Sequence, residues 1–549
     1  MPIPTVPTLL LAVGGMALIL SRWVQASRWY EGVWLAAMLG AVWLMVTGEV
    51  SVKAVAVGEV RYAVWSGDSL AMAGQGLALV FGMLFGVGSF GIRSNRDRTA
   101  ERLGFLSFLV AGVMLAGSSN DLVTMALSAE IVQFASWALR KIDRLENAVP
   151  QRGLDSNGGS PARDEACLWI GIATSSCLWL GIALLANLTA STQFDQIRQV
   201  LTDAYVPDAG RAVIGSGSKL GLLAIGLIVA GLGSRMGLVP WQIGFLESGR
   251  NVSYWTAGCV LLGGQLTGVM SLARLFGTVW VGYRDEMLVL LLVLAGLTFA
   301  VSGALAGLGL MSGEGRLRRW AMSIAMLHGA WLTVGLMAAI ADLATREHSL
   351  TMAGGQSGPL PLLLFAVGAS QVALAGLFLV LSHLHRDDRE VEFIDELLGL
   401  ARLCPVPAAA LMVALASLIG QPPLWGFWSN WLLMVAGLNV RAAGGREDAI
   451  PHVGLMLLLI AASIATLITA GVVMRFARII LLEQPIARTL PRGRRAALVM
   501  ACSCALALLS VGLFPARLLS LLSQVRGPAT KSAPDDPTGS NRGAATAQQ

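Results

Sequence analysis

Long apolar runs, separated by short polar or charged stretches, recur along the whole chain. A run of about 20 apolar residues is long enough to cross the hydrocarbon core of a bilayer as a helix. We count fourteen such runs, at 5–22, 31–48, 69–92, 104–119, 121–139, 166–188, 218–246, 253–278, 286–310, 320–342, 357–384, 404–438, 451–481 and 495–514. The pattern therefore predicts an all-α, polytopic membrane protein.

Two of the long runs contain residues that interrupt a helix, namely Pro240 in one and Pro422 with Pro423 in the other. Proline removes a backbone hydrogen bond and breaks or kinks a helix. Non-helical backbone at membrane depth survives only where protein buries it or where it lines a cavity. We expect two broken helices, around 235–240 and 420–424, which suggest two related half-units. An ordinary proline kink is the alternative interpretation.

The chain is predicted to contain five parts. These are N-terminal transmembrane helices at 1–120, a first half-unit at 121–278, a second half-unit at 286–440, C-terminal transmembrane helices at 451–514 and a disordered tail at 524–549. Runs 121–139 and 218–246 are the least regular, and residues 140–165 are expected to form a polar loop rich in Gly, Ser, Asp and Arg.

Composition supports a membrane location, because 55% of the residues are hydrophobic and only 13% are charged. Soluble domains carry about 25% charged residues. The mean hydropathy is +0.68. The basic residues concentrate in loops that follow odd-numbered runs, at 93–102, 140–144, 316–319 and 488–495. Positive loops stay in the cytoplasm, so we predict that both termini lie outside and that the net charge of +6 reflects topology and not nucleic-acid binding.

Several local patterns carry little weight. Residues 86–91 match GxGxxG, but they lie inside an apolar run with no preceding strand, so the match is attributed to chance. The stretch from His383 to Asp388 resembles a metal cluster, yet its alternating charges favour a solvated connector. The six cysteines form no CxxC pair and are interpreted as small buried hydrophobes. We therefore expect neither a metal site nor a redox cofactor.

Ionisable residues inside apolar runs are costly and are therefore functional candidates. Glu130 has apolar neighbours on both sides, and it is a proton relay or one half of a structural ion pair. Arg235 lies five residues before Pro240, next to the first expected break. His328 is a plausible proton carrier, but a lone histidine in a membrane is also often just hydrogen-bonded to a neighbouring helix.

Three stretches resemble the antiporter-like membrane subunits of NADH-quinone oxidoreductase, respiratory complex I, and in particular subunit N. They are GLGSRMGLVPW at 231–241, RRWAMSIAMLHG at 318–329 and the segment 407–427 that ends in QPPLWGF. Met474-Arg475 followed by Leu482–Pro485 fits the late basic and EP pattern of that family. Each motif is degraded, but all occur in the family order.

The resemblance implies proton conduction along buried Glu and Lys residues, driven by quinone reduction elsewhere in the complex. Glu130 matches the essential glutamate, whereas Arg235, Gln265 and Asn430 stand where the family has lysines. Arginine keeps its proton, and glutamine and asparagine have no titratable proton to exchange. Glu130 and Arg235 would then form a fixed ion pair, and the proton relay would be weakened or would run through water and His328.

The resemblance thus implies a multi-pass subunit of a bacterial inner membrane. It would carry no redox cofactor of its own and would work beside other membrane subunits of a proton-translocating NADH:quinone oxidoreductase, with quinone acting through the complex. Two alternatives stay open. One is a subunit of a related cation/proton antiporter or membrane-bound hydrogenase complex, and the other is a purely structural subunit of the membrane arm.

Overall fold

The computed structural model describes most of the chain in segments. They are residues 5–21, 30–47, 68–90, 96–147, 161–203, 214–249, 252–279, 284–311, 316–346, 359–386, 389–439, 452–484 and 495–523. The tail that was predicted from residue 524 onward lies outside these segments.

The apolar runs fold into helices, and this confirms the all-α, multi-pass architecture. In chain order the helices are α1 (Thr5–Ser21), α2 (Tyr30–Thr47), α3 (Ser69–Gly88), α4 (Arg96–Ser118), α5 (Leu122–Asn147), α6 (Pro161–Thr189), α7 (Phe194–Asp203), α8 (Ile214–Arg235), α9 (Gln242–Ser248), α10 (Tyr254–Thr278), α11 (Arg284–Met311), α12 (Leu317–Arg346), α13 (Pro359–His383), α14 (Leu400–Leu403), α15 (Pro405–Leu418), α16 (Trp425–Asn439), α17 (His452–Leu481), α18 (Arg495–Leu513) and α19 (Pro515–Leu522). Within the described segments, 10 helices are long and apolar enough to cross a membrane, and α1, α2 and α15 are shorter apolar helices.

The two broken helices are also confirmed. Run 218–246 folds as α8 followed by α9, and run 404–438 contains α15 followed by α16. In both cases a short non-helical stretch separates the two helices. Every other predicted run corresponds to a single membrane-length or shorter apolar helix.

Two predictions about regularity were wrong. Run 121–139 was expected to be among the least regular, but from Leu122 onward it belongs to the uninterrupted helix α5, which continues to Asn147. The polar loop therefore does not begin at residue 140, and helix α6 already starts at Pro161. In the polar end of α5, the side chain of Asp143 is buried in an ion pair with Arg102.

The connector after α13 was predicted to be solvated, and this was only partly right. His383 is buried, and the following residues form a two-stranded antiparallel ladder of β1 (His385–Arg386) and β2 (Arg389–Glu390). A 3₁₀ turn at Ile394–Leu397 follows. In the part of the chain that the structure describes, no group of three His, Cys, Asp or Glu residues is placed to hold a metal ion.

Helix α10 is held at both ends by buried ion pairs. Near its start, Asp143 accepts a hydrogen bond from the Ser253 amide and pairs with Arg102 at 2.8 Å. Near its end, Arg274 lies 2.9 Å from Asp68, which also caps helix α3. Such pairs offset their desolvation only when further hydrogen bonds assist, and here the Ser253 amide donates to Asp143 and Arg274 donates to the Ser119 carbonyl. The ion pairs thus fix α10 against α3, α4 and α5.

Helices α10, α12 and α13 form the interior of the bundle, since nearly all residues of their apolar segments are buried. Helices α6, α17 and α18 lie at the periphery and expose large apolar side chains such as Trp169, Leu467 and Leu506. The broken helices pack between these layers. Every candidate site residue therefore lies on or beside the central helices.

Candidate functional site

The first break (residues 236–241) separates α8 from α9. Gly237 has a φ of 79°. Its amide donates to the Ser234 carbonyl at 3.2 Å, and the amide of Leu238 donates to the Gly233 carbonyl at 3.1 Å. These two bonds form a Schellman cap, which requires a left-handed residue and therefore favours glycine. The cap satisfies carbonyl groups that the interrupted helix would otherwise leave without donors.

The second break (residues 419–424) separates α15 from α16 with the same geometry. Gly420 has a φ of 74°. Its amide donates to the Ser417 carbonyl at 3.0 Å, and the amide of Gln421 donates to the Ala416 carbonyl at 2.9 Å. The two breaks are thus two copies of one backbone motif. Each contains a cis peptide bond, Val239–Pro240 in the first and Pro422–Pro423 in the second.

Glu130 and Arg235 lie side by side at the first break. Arg235 is the last residue of α8, and its Nη2 lies 3.6 Å from Oε1 of Glu130 on α5. Its Nη1 donates to Oε1 of Gln133 at 3.2 Å, one turn along α5. The ion-pair distance exceeds that of a direct N–H···O bond, so the two charges attract each other without a shared hydrogen bond. Electrostatic attraction and one amide contact therefore connect α5 to the first break.

The surroundings of Glu130 differ from the expected apolar environment. Its side chain is 32% exposed, whereas that of Arg235 is 6% exposed. Glu130 lies on the same stripe of α5 as the exposed residues Leu127, Phe134 and Trp137. The sequence shows that its neighbours in the chain are apolar, but it does not show which face of α5 is covered. The pair is therefore asymmetric, with a buried cation and a partly exposed anion.

A polar cavity of about 70 Å³ adjoins Arg235 and is lined by α5, α6, α8, α9 and α10. Its polar lining consists of Gln133, Ser136, Arg140, Thr174, Ser234, Arg235 and Ser248. A water molecule needs about 10–15 Å³ measured in this way, so the cavity has room for several. The sequence analysis did not find this cavity. The i, i+3, i+7 spacing of Gln133, Ser136 and Arg140 was a detectable signal, because it places all three on one face of α5.

Gln265 lies in the interior, on α10 and facing α12. Its side chain is fully buried, and Nε2 donates to the carbonyl of Ala325 at 2.7 Å. Its Oε1 is buried without a hydrogen-bond partner among the described atoms. A neutral amide thus connects two central helices without placing a charge there.

The hydrogen bond of His328 is not with Glu130 or Arg235 but with a residue of α15. His328 is buried on α12, and its Nε2 lies 3.1 Å from the carbonyl of Leu418, the last residue of α15. A carbonyl oxygen only accepts, so Nε2 carries the hydrogen and donates it. Pro422, four residues after Leu418, has no amide hydrogen for the ordinary helical bond. His328 therefore supplies the donor that Pro422 lacks.

Asn430 lies against the second break, on α16. A Cβ atom added to Gly420 would lie 3.1 Å from Nδ2 of Asn430, so this amide sits close to the turn. Its Nδ2 has no hydrogen-bond partner among the described atoms, and the same holds for both amide atoms of Gln371 and for Nε1 of Trp425. Asn430 and Trp425 thus place uncharged polar atoms beside the second break. Buried polar atoms of this kind are commonly satisfied by water.

Charge is distributed unevenly between the two breaks. Among the described residues, the fully buried charged side chains all precede residue 280; they are Arg102, Asp121, Arg140, Asp143, Arg235 and Arg274. At the second break, the buried imidazole of His328 contacts the end of α15. The structure therefore brings together Glu130 and Arg235 at the first break and His328 and Asn430 at the second. Gln265 contacts the α12 turn that carries His328.

Comparison with known proteins agrees with this architecture. The family model described as "NADH:quinone oxidoreductase/Mrp antiporter, TM" matches residues 353–444. A relative from Rhizobium meliloti (strain 1021), named NADH-quinone oxidoreductase subunit N 1, is 24% identical over 80% of this chain and 82% of its own length. The chain is therefore similar to antiporter-like membrane subunits, and among them to subunit N. This similarity agrees with the resemblance that was predicted from the three sequence stretches.

Solved structures of the family show the same fold. A chain of respiratory complex I from Thermus thermophilus superposes with a TM-score of 0.68 at 18% identity, covering 94% of this chain and 99% of that one. A chain of the Mrp complex from Dietzia sp. DQ12-45-1b superposes with a TM-score of 0.70 at 17% identity, covering 96% and 97%. The fold is thus common to both kinds of complex.

The asymmetry of the ion pair leads to a stability prediction. Arg235→Met removes the cation and leaves Glu130 without its counter-charge. Breaking a fully buried pair costs about 3–5 kcal/mol, and since Glu130 is partly exposed we expect a smaller loss of about 1–3 kcal/mol. Glu130→Gln combined with Arg235→Met should recover most of it. The measurement is the midpoint of thermal unfolding of the purified protein in lipid nanodiscs.

The matched control is Arg478→Met. Arg478 lies at the same distance from Glu483, 3.6 Å, but the side chains are 73% and 41% exposed. This variant should unfold at the parental temperature. A double variant that is no more stable than Arg235→Met alone would show that the charge of Glu130 plays no part in the loss.

Proposed function

We propose that this chain is a subunit-N-like membrane component of an NADH-quinone oxidoreductase, assembled with other membrane subunits in a bacterial inner membrane. It takes part in coupling quinone reduction to proton translocation. The observation that carries the proposal is the Glu130–Arg235 pair at the first break, since it places an acid and a cation at the positions where this family has its glutamate and lysine. Quinone and NADH chemistry belongs to the partner subunits.

We also propose that the chain contains two half-units, at 121–278 and 286–440. The shared geometry of the two breaks supports this division. Each break follows a helix whose last residue is contacted by a side chain from another helix. In the first half-unit Glu130 contacts Arg235, and in the second His328 contacts Leu418. The two half-units would thus share one backbone design with different chemistry.

The proposed proton relay is weakened in this chain. A relay needs groups that alternate between charged and neutral states near physiological pH. Arg235 keeps its proton, and Gln265 and Asn430 have none to exchange. His328 donates its Nε2 hydrogen to Leu418, so it is better placed to hold the break than to pass protons on. Water in the polar cavity would then be the remaining route near Arg235.

A subunit of a related cation/proton antiporter complex is the second candidate, and the superposition with a chain of the Mrp complex favours keeping it. The two candidate complexes differ in the other subunits that they contain. Purification of the native complex through a tag on this chain should recover peripheral flavin and iron–sulfur subunits, detected by mass spectrometry and by visible absorption. Recovery of only small membrane subunits without flavin or iron–sulfur clusters would support the antiporter complex instead.

The orientation is a separate proposal, based on the basic loops. Both termini are expected outside, and the segment between α5 and α6 in the cytoplasm. A cysteine introduced at Ser156 should react with a membrane-impermeant maleimide only after the cells are opened, whereas one introduced at Thr546 should react in intact cells. Labelling of the Ser156 position from outside intact cells would reverse the topology.

The weakened relay predicts a low proton-to-electron ratio for the complex reconstituted in liposomes. Replacing Arg235, Gln265 and Asn430 with lysine introduces titratable groups at all three positions and should raise the ratio. The control adds Glu130→Gln to the triple variant, and this should cancel the rise because the acid of the relay is then missing. A parent ratio equal to that of a complex with all family lysines would refute the proposal.

A further inference from the structure

One turn of helix α12 lies between the two breaks. This turn (residues 325–329, called the α12 turn below) presents consecutive residues to different neighbours, because successive side chains on a helix point about 100° apart. His328 contacts the second break, and Gly329 contacts the first. The turn is completely buried within the bundle, so its position is fixed by protein on every side.

The contact with the first break depends on the absence of a side chain at Gly329. A Cβ atom added there would lie 2.2 Å from the carbonyl oxygen of Met236, a residue of the first break. Real Cβ atoms do not approach an oxygen so closely, so the break reaches the α12 turn only because residue 329 is glycine. In the same turn, the carbonyl of Ala325 accepts the hydrogen bond from Gln265 on α10.

The contact with the second break depends on a single hydrogen bond. Nε2 of His328 donates to the carbonyl of Leu418, at the end of α15. A buried carbonyl without a donor destabilises the fold, and Pro422 cannot provide the donor. His328 therefore fixes the position of the helix end relative to the α12 turn.

We propose that the α12 turn couples the two breaks, so that displacement of one changes the conformational equilibrium of the other. His328 is the positioning residue for the second break. Gly329, which has no side chain, allows the close contact with the first break. The coupling is mechanical and reciprocal, since a shared rigid element transmits the same free energy in both directions. It does not depend on the proposed proton function, and it holds whether or not the subunit conducts protons.

The first test displaces the first break and measures the second. Gly329→Ala pushes against the carbonyl of Met236. Hydrogen–deuterium exchange of the purified complex in nanodiscs, resolved by mass spectrometry, should then rise about fivefold or more for the amides of Gly420 and Gln421. Gly226→Ala is the matched control, because a Cβ on that glycine of α8 has no neighbour within 4 Å. Its exchange at both breaks should equal that of the parent.

The second test runs in the opposite direction. His328→Leu removes the donor to Leu418 and should raise exchange at the amides of Gly237 and Leu238 in the first break. His328→Gln places its amide nitrogen at about the reach of Nε2 and should restore parental exchange, whereas the shorter His328→Asn should not. This rescue separates loss of the hydrogen bond from a general loss of packing.

The outcomes are distinct. Exchange that rises only at the break next to each substitution would overturn the coupling, even where the variant is destabilised. If Gly329→Ala fails to assemble, the three His328 variants test the coupling by themselves. Their effect on hydrogen exchange is measured at the first break, which His328 does not contact. Equal exchange in the Leu and Gln variants would remove His328 from the proposed coupling.

Discussion

Backbone hydrogen bonding within the hydrocarbon layer is the constraint on which this structure depends. Membrane helices satisfy their own polar groups, and an interrupted helix loses that property at the point of interruption. Here the two breaks recover it in the same way, with a left-handed glycine and a pair of capping bonds. At the second break one carbonyl is left over because of Pro422, and the imidazole of His328 satisfies it. This hydrogen bond fixes α12 against the end of α15.

The side chains at the two breaks differ although their backbone geometry is the same. The first break ends in a buried arginine that lies beside a partly exposed glutamate, next to a polar cavity. The second break is surrounded by uncharged amides and an indole nitrogen. Neutral polar groups can hold water inside a protein, but they cannot store a proton between two steps of a relay. The two breaks thus differ in charge, with an ion pair at the first and neutral polar atoms at the second.

The central helices form the frame that holds both breaks. Helix α10 is fixed at its two ends by the pairs Arg102–Asp143 and Arg274–Asp68, so its middle, with Gln265, has little freedom to move. Helix α12 receives the hydrogen bond from Gln265 and contacts both breaks within one turn. A rigid frame of this kind gives the breaks defined positions. It also means that neither break can shift without pushing on residues that contact the other.

The sequence by itself determined the membrane spans, the broken helices and the family. Bilayer thickness sets the length of an apolar run, and proline marks an interruption wherever it falls, so both signals are local. The sequence did not determine the partner of His328, the exposure of Glu130, the polar cavity or the ion pair of Asp143. Each of these depends on how far a helix is rotated about its axis and which neighbour covers a given face. Only the packing of the whole bundle decides that, because apolar residues surround these positions in the chain whichever way the helix turns.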